Sequence, residues 1–502
     1  MGNINQRSAI ALPTIARVIA ARITAALVTV ALATAALLTV SLHAAAATAT
    51  AQPGHSCHLP GFDQALRCIA VAVPLDYQNA AGGNLNLHVT LAPALREAAR
   101  PDPVFVLAGG PGQAGSDILP LLESGFRKLR ATRDIVFIDQ RGTGLSGKLD
   151  CESTQEVDDL DEAGQVQLID GCMKSLNKPF KFYNTENSAR DIEQVRKALG
   201  YAQVNLWGGS YGTRLGQAYA RLFPAAVRAM VLDGVAAPDQ IIFAWGADAQ
   251  ASLDATFRQC AADPGCSKAY PHLAQQFSAL LARVNGGDVG LDFYHPRTAR
   301  RIQMRLASAR FLQTVRTVLY SADNANRLPF LIDSADKGNW NPFVAQMYSA
   351  SDFSLEGPAI GLMLAVTCAE DIPRITPAIV ADEERNSFLA GQEVKLLPKL
   401  CRSIDVPAIA ASEPGTIAAP TLLLSGALDP VTPPHRAESA ARHMAHAQQF
   451  VVANAGHIVS QAGCVPRLLR EFLDRPDQPL AADCLKEIPR NGFQLGAAGP
   501  HP

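Results

Sequence analysis

The chain has 502 residues, 18% of them charged, with a formal net charge of −2. That length holds one large domain or two smaller ones, and 48% hydrophobic residues supply a sizeable core. The near-neutral balance, without a basic run, excludes the electrostatic footprint of a nucleic-acid partner.

In chain order, the first element is a targeting segment. Arg7, Arg17 and Arg22 precede an uncharged apolar stretch from Ile23 to Leu42, and Ala49-Thr50-Ala51 fits a small-residue cleavage site. Residues 1–51 are read as a signal peptide, which predicts an exported protein with no stable membrane association after cleavage. The alternative is an uncleaved anchor, since the stretch is long enough to span a bilayer.

Val71 to Tyr77 and Leu85 to Leu91 alternate like the strands of an antiparallel hairpin, with a turn at Ala81-Gly82-Gly83. Four continuous apolar runs follow: Pro103 to Ala108, Asp134 to Ile138, Val204 to Trp207 and Val227 to Leu232. Such runs suit parallel strands buried on both faces. Ser188 to Leu199 carries Ile192, Val195 and Leu199 at helical spacing. From about Pro238 to Ala411 the pattern turns to helices and loops, clearest at Leu253 to Cys260, Ala274 to Val284, Arg301 to Tyr320 and Phe353 to Thr367. Strand-like runs return at Thr421 to Ser425 and Gln449 to Val452. The pattern predicts an α/β fold with a mostly parallel sheet. Its core spans residues 52–237 and 412–495, a helical cap is inserted at 238–411, and 496–502 form a disordered tail.

All ten cysteines lie after residue 51, and no C-x-x-C occurs among them. They fall into near-neighbour couples. The predicted disulfides are Cys57–Cys68, Cys151–Cys172, Cys260–Cys266, Cys368–Cys401 and Cys464–Cys484, as befits an oxidising compartment.

The chemistry gathers after the strand-like runs. Gly208-Gly209-Ser210-Tyr211-Gly212 is a G-x-S-x-G pattern with a strand before it and a helix, Thr213 to Phe223, after it. That context raises a serine hydroxyl above a sheet edge as a nucleophile; the bland alternative is a tight strand–helix turn. A serine hydroxyl needs a base and a group to orient that base. Thr421–Ser425 leads into Asp429, and Gln449–Val452 leads into Gly456-His457. Asp429 and His457 are 28 residues apart, close to the roughly 30 of one strand–helix–strand unit. His457 is read as the base and Asp429 as its orienter, with Asp233 the competing orienter. His435, His443 and His446 are read as solvated. His55, Cys57 and His58 imitate a metal cluster, but Cys57 belongs in a disulfide, and neither metal nor cofactor is predicted. Oxyanion donors are assigned to the amides of Tyr211 and of Gly110, in the loop Gly109-Gly110-Pro111-Gly112.

With these pieces together the chain resembles α/β-hydrolases of the proline iminopeptidase and tripeptidyl aminopeptidase group. The resemblance rests on the Gly109–Gly112 loop, Asp139-Gln140-Arg141-Gly142-Thr143-Gly144-Leu145-Ser146, the Ser210 motif, and the Asp429 and His457 loops. Cys260-x5-Cys266 and Val71 to Tyr77 are similar to the secreted, tripeptidyl-type members. Ala108 departs from the histidine that many iminopeptidases carry before the glycines, which weakens strict proline specificity. The resemblance implies a serine peptidase acting near peptide N-termini, with acidic cap residues holding the substrate's amine; Glu370 and Asp371 are the candidates, against the reading that they cap a turn. The stretch from Ser210 to Asp429 far exceeds the roughly 60 residues that two strand–helix units need, and a cap over the site absorbs the excess. The predicted partner is a peptide or small acyl substrate, with oligomeric state open. The rivals are a carboxylesterase with the same machinery and a non-catalytic binding protein of this fold.

Overall fold

The computed structural model describes residues 54–151, 160–296, 298–351, 357–410 and 415–500. The predicted targeting segment, the start of the helix expected over Phe353 to Thr367 and the final two residues of the predicted tail lie outside them.

Nine strands form one sheet: β1 (His55–Leu59), β2 (Phe62–Pro74), β3 (Asn84–Ala92), β4 (Val104–Leu107), β5 (Ile135–Ile138), β6 (Val204–Gly209), β7 (Val227–Asp233), β10 (Thr421–Gly426) and β11 (Ala447–Val452). Their spatial order is β1-β2-β3-β5-β4-β6-β7-β10-β11. β1, β2 and β3 pair antiparallel, β3 meets β5 antiparallel, and every pairing from β5 to β11 is parallel. The predicted mostly parallel sheet is thus present. β4, β5, β6 and β10 are buried along their whole length, as strands covered on both faces must be.

The two faces sort by residue parity. Phe105, Leu107, Val136 and Ile138 point into one apolar cluster, and Val104, Val106, Ile135 and Phe137 into the other. The first is covered by α2 (Thr185–Ala198) and α3 (Tyr211–Leu222), through Ile192, Val195, Leu215 and Tyr219. The second is covered by α13 (Val465–Asp474), through Leu468, Leu469 and Phe472. Another helix, α1 (Glu162–Leu176), precedes α2.

Between β7 and β10 the chain leaves the sheet and builds α4 (Gly246–Ala262), α5 (Leu273–Asn285), α6 (Ser308–Leu319), α7 (Leu328–Asp336), α8 (Asn341–Ser351), α9 (Ile360–Glu370), α10 (Pro377–Arg385) and α11 (Gln392–Leu400). Phe277, Phe311 and Phe343 form its interior, continuous with the α2–α3 face of the sheet. α12 (Pro434–Ala441) then joins β10 to β11.

Two expectations need correction. Arg301 to Tyr320 is not one helix: β9 (Arg301–Arg305) pairs with β8 (Gly290–Tyr294), and α6 begins only at Ser308. Ile302 and Met304 are half-buried between exposed Arg301, Gln303 and Arg305, a period of two that the following helical pattern obscured. β1 was not foreseen, because its polar sequence lacks alternation; it is tied to β2 by Cys57–Cys68. The other predicted disulfides, Cys151–Cys172, Cys260–Cys266, Cys368–Cys401 and Cys464–Cys484, are all formed.

Candidate active site

Ser210 sits between the end of β6 and the start of α3, with φ 55° and ψ −125°. A non-glycine residue there costs about 1–3 kcal/mol and persists only where its surroundings impose it. Its amide donates to the carbonyl of Asp233 at 2.9 Å, and its carbonyl accepts from the Thr213 hydroxyl at 2.6 Å. A side chain at Gly212 would run into the carbonyl of Leu107, so α3 can pass this close to β4 only with glycine there. The strained serine ahead of a helix N-terminus is what strand–G-x-S-x-G–helix predicts.

Asp429 and His457 leave the same edge of the sheet, since β10 and β11 run parallel with Gly426 opposite Val452. His457 Nδ1 lies 2.7 Å from Asp429 Oδ2. With the ring proton on Nδ1 donated to Asp429, Nε2 is left as acceptor for a hydroxyl proton. Asp429 Oδ1 accepts the amides of Val431 at 2.9 Å and Thr432 at 2.8 Å. The Thr432 hydroxyl donates to Asp429 Oδ2 at 2.7 Å and lies 3.0 Å from His457 Nδ1. Burial opposes the charge on Asp429, yet His457 and the two amides hold its carboxyl below the ordinary value. Burial likewise opposes a charged His457, but Asp429, with a smaller push from Asp233, holds the imidazole above the ordinary value; Arg316 works against it. Sequence reasoning missed Thr432, whose only signal is its place in the turn that Asp429 organises.

Asp233, the competing orienter, is turned elsewhere. Its carboxylate accepts from the amides of Val459 and Ser460 and from the Ser460 hydroxyl.

The loop after β4, to which the sequence assigns an oxyanion donor, has a constrained backbone. Gly110 has φ 102°, open only to glycine, and Gln140 Nε2 donates to the carbonyl of Ala108 at 3.1 Å. Gln113 Oε1 accepts the Gly109 amide at 3.3 Å. Tyr211 starts α3, where the first amides lack intrahelical acceptors. The remaining residues of the Asp139-Gln140-Arg141 run are architectural. Asp139 accepts from Ser116 and the Leu145 amide, and Arg141 pairs with Asp191 at 2.6 Å.

Glu370 and Asp371, adjacent in sequence, meet different surroundings. Glu370 ends α9 and accepts from the Thr185 amide at 2.7 Å and the Thr185 hydroxyl at 2.6 Å. Thr185 Oγ1 also bonds the Tyr211 hydroxyl at 2.7 Å, so Glu370 is one residue removed from the neighbour of Ser210. Its carboxyl is pushed above the ordinary value by burial, with the Thr185 bonds and Arg214 opposing. Asp371 is fully buried; both oxygens take Arg214 Nη1, at 3.0 and 2.9 Å, and Oδ1 also takes the Ile242 amide. An internal ion pair with Arg214 takes both oxygens of Asp371, whereas Glu370 meets Thr185.

His435 is exposed, as read, but lies 3.3 Å from Asp248. Among the described residues no three His, Cys, Asp or Glu side chains are grouped to hold a metal. No helix among them is long and apolar enough to cross a membrane.

The chain is similar to serine protease Hip1 of Mycobacterium tuberculosis, with 28% identity over 73% of this chain and 76% of that protein. It is also similar to the tripeptidyl aminopeptidase of Streptomyces coelicolor, with 30% identity over 35% of this chain and 36% of that protein. Carboxylesterase B of Mycobacterium tuberculosis shares 35% identity over 41% of this chain and 43% of its own. The model of the alpha/beta hydrolase fold matches residues 102–460, a span that takes in Ser210, Asp429 and His457. The chain therefore belongs to the α/β-hydrolase fold family and is a serine hydrolase.

Proposed function

We propose that this serine hydrolase is an exported aminopeptidase that releases N-terminal residues or short peptides through an acyl-enzyme. The 2.7 Å pair of His457 and Asp429, with Ser210 held at positive φ at the turn from β6 into α3, carries the reading. Ser210 Oγ attacks the scissile carbonyl while His457 Nε2 takes its proton. His457 then returns that proton to the leaving amine, and water repeats the sequence to free the acyl group. Asp429 fixes the imidazole, and the amides of Gly110 and Tyr211 receive the oxyanion.

Peptide substrates are supported by the names of two relatives, serine protease and tripeptidyl aminopeptidase, and action at the N-terminus by the second. Glu370 is the carboxylate assigned to the substrate's ammonium, a charge-assisted bond worth more where water is excluded. The helical insertion, residues 238–411, acts as the cap that excludes it. Five disulfides and the N-terminal segment support export. The name of carboxylesterase B favours a second reading, simple acyl esters as substrates.

Turnover of a tripeptidyl amide with a free N-terminus, its N-blocked analogue and a short acyl ester separates the two. The free peptide should be strongly preferred, and Ser210→Ala should lose all three activities together with labelling by a fluorophosphonate. Equal turnover of free and blocked peptides would overturn the aminopeptidase reading.

A further inference from the structure

Asp233, at the end of β7, is bonded to Ser210 through its backbone and to the loop just past His457 through its side chain. Its backbone carbonyl accepts the Ser210 amide at 2.9 Å. Its side chain accepts the Val459 amide at 2.9 and 3.0 Å, the Ser460 amide at 2.7 Å and the Ser460 hydroxyl at 2.6 Å. Ser460 Oγ in turn accepts the indole N–H of Trp207, on β6, at 2.8 Å. Between the gripped amides and His457 lies Ile458, at φ 66°. A β-branched residue does not hold that conformation unaided. Asp233 supplies the restraint, because the turn at Ile458 aims the next two amides at one carboxylate.

The geometry points to Asp233 as a positioning residue that fixes the spacing between Ser210 and His457, through its carbonyl on one and its carboxylate on the loop of the other. This rests on the reading of Ser210 as nucleophile and His457 as base. Misplacement of reacting groups by about 1 Å costs on the order of a hundredfold in rate, so a clamp on both loops acts on kcat more than on substrate binding.

The carboxylate also has the titration that such a role makes visible. Burial pushes it up to about 6, and the bonds from Ser460 and Val459, with the charge of His457, limit the rise. Only the ionised form presents acceptors to every donor around it. Protonation of Asp233 on acidification therefore loosens the clamp, in the same direction of pH in which His457 gains its proton. The charged or titratable groups that face His457 are Asp429, Asp233, Arg316 and Tyr320. The acid limb of the wild-type profile should accordingly be steeper than one proton allows.

Asp233→Asn and Ser460→Ala test this in the full-length protein, below the melting transition of each variant. Asp233→Asn sets an amide N–H against the donors of Val459 and Ser460. It should lower kcat by about a hundredfold with little change in KM, and its acid limb should fall to a one-proton slope. Ser460→Ala removes one of the bonds to the carboxylate. It should lower kcat less and move the steep limb to higher pH, because Asp233 then ionises less readily. The inference is overturned if Asp233→Asn keeps wild-type kcat and limb while Ser210→Ala and His457→Ala are inactive. It is also overturned if Asp233→Asn does not fold and Ser460→Ala leaves kcat and limb unchanged. Activity retained by Ser210→Ala or His457→Ala would instead overturn the catalytic assignment beneath it.

Discussion

The backbone carbonyl of Tyr320, at the end of α6 in the insertion, accepts the amide proton of His457 at 2.7 Å. The Tyr320 ring meets the imidazole edge-on, with centroids 5.1 Å apart. The approach is tight enough that a Cβ at Gly456 would collide with the Tyr320 carbonyl, which explains the glycine before the histidine. The insertion thus makes direct contact with the histidine. Arg316, one helical turn before Tyr320, donates to its hydroxyl at 2.8 Å and lies over the rings of both Tyr320 and Trp245.

Arg316→Gln should therefore shift the acid limb of kcat/KM. The guanidinium opposes protonation of His457, so its loss lets the imidazole hold its proton to higher pH. His457 must be neutral to act as base, and activity at mildly acidic pH should fall more than at alkaline pH. Arg316→Lys keeps the charge and should leave the limb nearer to wild type. A pH series of kcat/KM for the three proteins is the check; coincident limbs for wild type and Arg316→Gln would refute it.

Asp429→Asn should lower kcat by about 10⁴, because the amide favours the wrong imidazole tautomer. The remaining activity should titrate at lower pH than wild type. Asp429 is a principal reason the imidazole sits above its ordinary value, and without that charge burial pushes it down. Residual activity with an unmoved acid limb would show that another carboxylate orients His457.

Ser210, Asp429 and His457 were legible because each follows a short apolar run, and parallel strands deliver such loops to one sheet edge. The cysteine pairs were legible because each couple is close in sequence. Thr432, Tyr320 and the grip of Asp233 were not, since they depend on approaches made across space. Glu370 and Asp371 show the limit most plainly. Side by side in sequence, the first meets Thr185 while the second is bonded by Arg214 and the Ile242 amide. β9 was lost because five alternating residues precede a stronger helical pattern.

The Cys368–Cys401 disulfide joins α9, two residues before Glu370, to the end of α11 across a sequence separation of 33. In the chain-entropy model it contributes about 4 kcal/mol, against about 2 kcal/mol for Cys260–Cys266 with its separation of 6. Replacing both cysteines of the longer loop by serine should therefore destabilise the protein more than the same change at the shorter one. Urea unfolding of the two double variants measures the difference, and the reverse order would show that native-state contacts outweigh loop closure.

Arg214 and Asp371 join α3, which follows Ser210, to the end of α9 in the insertion. Arg214 also donates to the carbonyl of Gln240 at 2.7 Å. Removing one member of a buried pair leaves the other charge without its partner, at a cost of about 3–5 kcal/mol. Arg214→Leu should destabilise by that order, softened by Arg374, which lies 3.8 Å from Asp371. Arg214→Leu combined with Asp371→Leu should recover part of the loss, since no unpaired charge remains. The catalytic readout separates this pair from its neighbour. Glu370→Gln should raise KM for free-amine peptides and spare N-blocked ones, whereas Asp371→Asn should lower stability while leaving the ratio of free to blocked turnover as in wild type. A selective rise in KM in Asp371→Asn would return that residue to the substrate site despite its burial.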